Sequence, residues 1–212
     1  MPRKVRSNPL ALAVLVCLYE RPMHPYEVAQ TLRQRAKQES VRLNYGSLYA
    51  VVEALEKRGL IEARETVREG KRPERTVYAI TDEGSLEMID WMTELIGTPA
   101  KEYPQFMAGL SFIAALSPDD ALNALRTRAE AIAFQLASLR GGMKAAHEIG
   151  LPRLFGLEAE YEELQLEAEL HFVNALVKEI ASGDLEGLDM WRSFHVTGTN
   201  PIEGVSFSQN PL

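Results

Sequence analysis

The stretch Asn44-Tyr45-Gly46-Ser47-Leu48-Tyr49-Ala50-Val51-Val52-Glu53-Ala54-Leu55-Glu56-Lys57-Arg58-Gly59-Leu60-Ile61 decides how this chain of 212 residues folds. Leu48, Val51, Val52 and Leu55 recur at three- and four-residue steps, which makes one apolar helix face beginning near Asn44. Lys57 and Arg58 occupy the last turn, where cations suit the negative end of the helix dipole. Gly59 follows as a left-handed stop. The period then changes to two. Residues 60–67 and 75–81 read as strands rich in Val, Ile, Thr and Tyr. The polar segment Arg68-Glu69-Gly70-Lys71-Arg72-Pro73-Glu74 between them reads as a turn.

Two helices precede this unit. Asn8-Pro9 opens the first, with a capping side chain followed by a proline at a position that needs no N–H donor. Residues 10–19 are apolar all round, as in a helix central to a core. Pro22 stops it. Pro25 starts a second helix that runs to about Ala36, with Tyr26, Val28, Ala29 and Leu32 at helical spacing. Three helices followed by a hairpin with a basic tip make a winged helix-turn-helix, in which the third helix reads DNA and the hairpin is the wing.

The remainder is helical. Thr81-Asp82-Glu83 caps a helix holding Leu86, Met88, Ile89, Trp91, Met92, Leu95 and Ile96. A short apolar helix is expected over residues 103–116. Ser117-Pro118-Asp119-Asp120 then opens a long helix with a cap, a first-turn proline and two carboxylates at the positive dipole end. Its apolar residues Leu122, Leu125, Ala129, Ile132, Leu136, Leu139, Met143 and Ala146 alternate three- and four-residue steps, the seam of a coiled coil. A last long helix, over residues 156–181, has two stripes. Leu157, Tyr161, Leu164, Ala168 and His171 form one; Leu166, Leu170, Val173, Val177 and Ile180 form the other. Two apolar faces need two partners, the preceding helix and a second subunit. The fold class is thus mainly α. Residues 1–84 form a DNA-binding domain, 85–181 a coiled-coil-like dimerisation and effector domain, and 182–212 an irregular tail with Trp191 and Phe194 as its ordering residues.

Charge distribution supports this division. The net charge is −7, yet residues 1–84 carry 15 Lys and Arg against 11 Asp and Glu, a net of +4, while residues 85–212 carry 8 against 19, a net of −11. One half is suited to meet a polyanion and the other is not. The longest apolar run, ten residues, is too short to cross a bilayer. It follows Arg3, Lys4 and Arg6, as in a signal peptide, but no small-residue cleavage site succeeds it. The one cysteine, Cys17, lies inside that run and reads as a buried thiol. A cytoplasmic protein without a membrane partner is expected.

In the winged-helix plan, the N-terminal residues of the third helix reach base edges in the major groove. Here these are Asn44, Tyr45, Gly46, Ser47 and Tyr49. Asn pairs with adenine, Ser serves a base or a phosphate, and a tyrosine hydroxyl suits phosphate; the alternative makes Tyr45 and Tyr49 core aromatics. In the wing, Arg68, Lys71, Arg72 and Arg75 would neutralise phosphates. The arm Arg3, Lys4 and Arg6 is a further groove-seeking candidate.

The strings His24-Pro25-Tyr26-Glu27, Asn44-Tyr45-Gly46-Ser47-Leu48-Tyr49, Leu55-Glu56-Lys57-Arg58-Gly59-Leu60-Ile61 and Tyr78-Ala79-Ile80-Thr81-Asp82-Glu83-Gly84 resemble the PadR family of bacterial regulators across residues 9–84. The helical remainder is similar in layout to the virulence-activator-like C-terminal domain of its larger subfamily. Two positions depart from the pattern: Pro25 stands where the family usually has Gly, and Ala50 where it often has Pro. The resemblance implies a homodimer that represses a promoter near its own or an adjacent gene; a dimer's two recognition helices, about 34 Å apart, would match an inverted-repeat operator in double-stranded DNA. The resemblance also implies release by a small aromatic or drug-like effector, and a phosphate contact for Tyr26.

For that effector, Trp91 and Met92 are candidates, with Phe106 and Met107 and also Phe112 as further lining of an apolar pocket. Packing in a core or interface accounts for them equally. The expected dimer contacts are Leu125, Ile132, Leu136 and Leu139 on the heptad helix and Leu166, Leu170, Val173 and Val177 on the last one. No catalytic constellation emerges, so an enzyme is not expected and no cofactor is implied. Glu163, Glu167 and His171 share one helix face at four-residue steps, an arrangement able to ligate a metal but more often a solvated face. The rival reading is a winged helix that docks a protein partner and binds no promoter.

Overall fold

The computed structural model describes residues 8–37, 41, 43–67 and 75–197, without the side chains of residues 65–67 and 75. The chain forms two compact units, Met1–Lys101 and Glu102–Leu212.

The first unit is built on helix α1 (Pro9–Glu20), capped by Asn8, whose side chain accepts from the Leu10 N–H at 3.1 Å. Val14 and Leu15 are completely buried, and Leu10, Ala11, Cys17 and Leu18 nearly so, as the all-apolar run requires. Helix α2 (Pro25–Gln34) starts from a reciprocal cap. The His24 ring accepts from the Tyr26 N–H, and Glu27 accepts from the His24 N–H. Pro25 fits at the first helical position of this cap, so the departure from the family's usual Gly costs no hydrogen bond. Helix α3 (Tyr45–Lys57) turns Leu48, Val51, Val52 and Leu55 inward. Gly59 follows at φ 72°, the left-handed stop expected of it.

Strands β1 (Ile61–Val67) and β2 (Arg75–Ile80) pair antiparallel, with Ile61 opposite Ile80 and Ala63 opposite Tyr78. The register shifts between Ala63 and Glu65. Met23, in the connection between α1 and α2, exchanges two backbone hydrogen bonds of 3.0 Å with Tyr78, so β2 is paired on both sides. Helix α4 (Asp82–Gly97) is capped by Thr81. It differs from expectation in its partner. Met88 and Trp91 are buried in the same cluster as α1 and α3, so α4 belongs to the first unit, not to the second half of the chain. The physical reason is that α1, apolar all round, needs a cover on the side that α3 leaves free.

The second unit contains α5 (Gln105–Ser111), a short 3-10 turn over Ile113–Ala115, α6 (Pro118–Glu148), a second 3-10 turn over Arg153–Gly156, α7 (Leu157–Ser182) and α8 (Leu188–Thr197). The Ser117 side chain caps α6 as expected, accepting from the Asp120 N–H. Arg128 reaches Glu169, whereas Arg140 reaches Glu163 and Glu167, so α6 and α7 run antiparallel.

This pairing corrects the expected interface. Leu125 and Ile132 cluster with Val173 and Ile180 of the same chain, and Leu166, Leu170 and Val177 pack half-buried beside them. Leu136 is buried as well and Leu139 half-buried. The heptad seam is covered within one chain, because the eight residues between α6 and α7 fold α7 back along it. The other α7 stripe is left outward: Leu157, Tyr161 and Leu164 are exposed. The tail also differs. Helix α8 occupies residues expected to be irregular, with Leu188 and Trp191 buried in the second core. The Trp191 indole donates to the Leu116 carbonyl at 2.8 Å.

Candidate nucleic-acid interface

The start of α3 is the centre of the surface that the sequence singled out. Asn44 takes a role beyond the one expected. Its side-chain oxygen accepts from the Gly46 N–H at 2.9 Å and so caps the helix. A bidentate pair with adenine would have to share that same oxygen with the cap, whereas the N–H₂ group of Asn44 is not used by it. Gly46 has ordinary clearance, its added Cβ coming no closer than 3.4 Å to Asn44 Oδ1. The fold itself therefore does not demand glycine there.

Four apolar residues of α3 face the core, which forces the others outward. Tyr45 and Tyr49 are 37% and 49% exposed, and Ser47 and Ala50 are exposed beside them. These fractions exclude the alternative in which the two tyrosines fill the core. Tyr26, from the first turn of α2, is 43% exposed, and its ring stacks near-parallel to that of Tyr45 with centroids 6.3 Å apart. Tyr26, Tyr45, Gly46, Ser47 and Tyr49 thus share one surface of the first unit. A shallow hollow of about 380 Å³ adjoins it, lined by Asn8, Ala11, Ser47, Ala50, Val51, Ala54 and Leu55.

Arg33 was not singled out by the sequence reading. Its guanidinium lies 4.6 Å from the Tyr45 ring centre and donates to the Tyr45 hydroxyl. A signal was present, because Arg33 follows Tyr26 by seven residues and so shares its face of α2 two turns on. Arg35 is differently engaged. It makes two bonds to Glu20 at the end of α1. The hydrogen bond from this guanidinium holds the Glu20 carboxyl below the usual carboxylate range.

The wing residues Arg68, Lys71 and Arg72 and the arm residues Arg3, Lys4 and Arg6 lie outside the described residues, as does the side chain of Arg75. Arg64 on β1 is described and is paired with Glu62.

The expected effector residues are not brought together within one unit. Trp91 is 2% exposed and packs inside the first core, so its ring is not offered to a ligand in this structure. Its indole N–H has no hydrogen-bond partner among the described residues. Met92, the next residue, is 37% exposed. In the second unit Phe106 is half-buried, with the Arg128 guanidinium 3.8 Å from its ring centre and the Phe172 ring edge-on at 6.5 Å. Met107 and Phe112 are exposed. Glu163 and Glu167, weighed above as metal ligands, instead receive the Arg140 guanidinium.

Residues 14–90 match the Transcriptional regulator PadR-like family. The chain carries a PadR-like domain. That match spans α1 to the middle of α4 and includes every described residue of the exposed tyrosine surface. Members of the PadR-like family are transcriptional regulators and not enzymes. The chain is also similar to the negative transcriptional regulator PadR of Bacillus subtilis (strain 168), at 24% identity over 132 residues, which are 62% of this chain and 71% of that protein. Among solved structures, Bacillus subtilis PadR in complex with operator DNA superposes with a TM-score of 0.66 at 20% identity, covering 82% of this chain and 99% of that one. The same protein in complex with p-coumaric acid gives 0.67 at 18% identity, covering 81% and 98%. The PadR winged-helix architecture with C-terminal helices is therefore the fold of this chain. Among the described residues, no helix is long and apolar enough to cross a membrane.

Proposed function

We propose that this PadR-like protein is a dimeric transcription regulator that binds an inverted-repeat operator and represses the adjacent promoter until a small aromatic effector releases it. The observation that carries the DNA-binding part is the exposed surface of Tyr26, Tyr45, Ser47 and Tyr49 at the start of α3, on a winged helix whose chain half is net positive. The N-terminal turn of such a helix is the part that enters a major groove. Phosphate contacts from Tyr26, Tyr45 and the wing residues Arg68, Lys71, Arg72 and Arg75 supply affinity; Ser47, the Asn44 N–H₂ group and the close approach allowed by Gly46 supply sequence preference.

Dimerisation is supported by the uncovered α7 stripe of Leu157, Tyr161 and Leu164, which a second copy would bury. Two copies present two recognition helices at half-sites about 34 Å apart. The repressor role and the effector rest on the Bacillus subtilis relative, named a negative regulator and solved with a phenolic acid. Phe106 and Met107, in the second unit, remain residues proposed to meet such a ligand. Release requires that the ligand bind the DNA-free arrangement more tightly than the DNA-bound one.

The test is fluorescence anisotropy with a labelled duplex taken from upstream of the chain's own coding sequence. Binding that weakens steeply with salt and that p-coumarate or a related phenolic acid reverses supports the proposal. No binding to that duplex or to neighbouring intergenic DNA overturns it, in favour of a winged helix that docks protein.

A further inference from the structure

We propose that Arg33 and Tyr45 form a phosphate clamp, in which Arg33 both contributes the cation and sets the Tyr45 hydroxyl as a hydrogen-bond donor. This deepens the DNA-binding reading and rests on it. Four observations carry it. First, Arg33 comes from α2 and Tyr45 from the first position of α3, so the pair bridges the two helices of the helix-turn-helix. Second, Arg33 donates an N–H to the Tyr45 oxygen and lies over its ring. A phenol oxygen that accepts from a guanidinium has its own proton left to give. Among the described residues no acceptor takes that proton. Third, Arg35, Arg58 and Arg64 of the same unit are each paired with a carboxylate, whereas Arg33 has none among the described residues. Fourth, Tyr26 stacks on Tyr45, which restricts the ring further.

The ligand class that fits is a phosphodiester oxygen. The O–H of Tyr45 and the remaining N–H groups of Arg33 are all donors, and a guanidinium fork matches a phosphate's oxygens. A guanine edge, with its O6 and N7 acceptors, can also take an arginine fork; but Arg33 lies on α2, the helix that crosses the DNA backbone in a helix-turn-helix, and one of its N–H groups is already engaged by Tyr45. The clamp therefore positions the recognition helix and does not choose the sequence.

The experiment measures binding of the full-length protein to the upstream duplex across a KCl series, for wild type, Arg33→Ala, Arg33→Lys, Tyr45→Phe and Arg33→Ala/Tyr45→Phe. Thermal melts by circular dichroism establish that each variant is folded. Tyr45→Phe should weaken wild-type binding about five-fold, the worth of one hydrogen bond. In the Arg33→Ala background it should cost less than about two-fold, because the two residues act as a unit. Arg33→Ala should reduce the slope of log K against log salt by about 0.9, and Arg33→Lys should restore it. An unchanged slope in Arg33→Ala, or an equal Tyr45→Phe loss in both backgrounds, overturns the clamp while leaving DNA binding in place. Wild-type protein that binds no duplex overturns the underlying function instead.

Discussion

Gly84 in α4 presses directly on the backbone of Leu60, so closely that a Cβ built at Gly84 would stand 1.9 Å from the Leu60 carbonyl oxygen. The same added atom would stand 2.9 Å from Ile80 Cγ1. Backbone cannot move aside as a flexible side chain can, so glycine here is a packing requirement. Gly84→Ala should destabilise the first unit by more than about 3 kcal/mol, in the range reserved for severe steric conflicts. Urea unfolding measures this, and a midpoint within error of wild type would contradict the close approach.

Thr81 supports that contact from the other side. Its hydroxyl donates to the Gly59 carbonyl at 2.7 Å and accepts from the Gly84 N–H at 3.0 Å. Thr81→Val, which keeps the shape and removes both bonds, should cost about 1–2 kcal/mol, the scale of a lost helix cap. Thr81→Ser should recover most of it. A valine variant as stable as wild type beside a destabilised serine variant would point to the methyl group in place of the hydroxyl.

Asn44 allows cap and DNA contact to be separated. Asn44→Asp retains a capping oxygen and adds a charge that the helix start favours, so thermal stability should hold. The same charge faces phosphate, so DNA affinity should fall by about ten-fold or more. Asn44→Ala should instead lose about 1 kcal/mol of stability. If the aspartate variant binds the duplex as well as wild type, α3 does not point its first turn at DNA.

Burial pushes the Cys17 thiol up to about 11. Because only the thiolate is nucleophilic, native protein at pH 8 should react with iodoacetamide far more slowly than urea-unfolded protein. The raised value also gives a pH dependence. Folding favours the neutral thiol, so this contribution is complete below the unfolded value of about 8.5 and is lost as pH rises toward 11. A Cys17→Ala variant should show a shallower loss of stability across that alkaline window.

The two α7 stripes make opposite predictions. Leu164, 64% exposed, lies on the uncovered one; Leu164→Glu should leave helicity unchanged and shift sedimentation toward monomer. Val173 is completely buried against α6. Val173→Asp should unfold the second unit, because an unpaired charge in that core costs several kcal/mol. A Leu164→Glu protein that sediments as wild type would remove this stripe from the proposed interface.

What the sequence made legible was local. The caps at Asn8, Thr81 and Ser117 each satisfy backbone N–H groups with one nearby side chain, and the stop at Gly59 needs only its own backbone, so the residue types state the outcome. What it left open depended on partners distant in the chain. Both α7 stripes are apolar, and no local rule says which one the turn after α6 will bury. Trp91 carries a ring equally suited to a ligand or to a core, and the demand of α1 for a cover decided it. Asn44 has both cap and DNA-contact chemistry, and only geometry shows its oxygen already engaged. Helix α8 was obscured because two glycines, Gly183 and Gly187, lie just ahead of it, while Leu188 and Trp191 gain their helix from burial in the second core.

The Met23–Tyr78 bridge has a bearing on how such a regulator diversifies. With β2 secured to β1 on one edge and to the α1–α2 connection on the other, the root of the hairpin does not depend on what joins the strands beyond Val67 and Arg75. Lengthening a surface connection costs little, about 0.6 kcal/mol for each doubling. On the proposed function, the segment between Val67 and Arg75 can therefore be exchanged for longer or differently charged ones, retuning the affinity for phosphate on a scaffold that does not register the change.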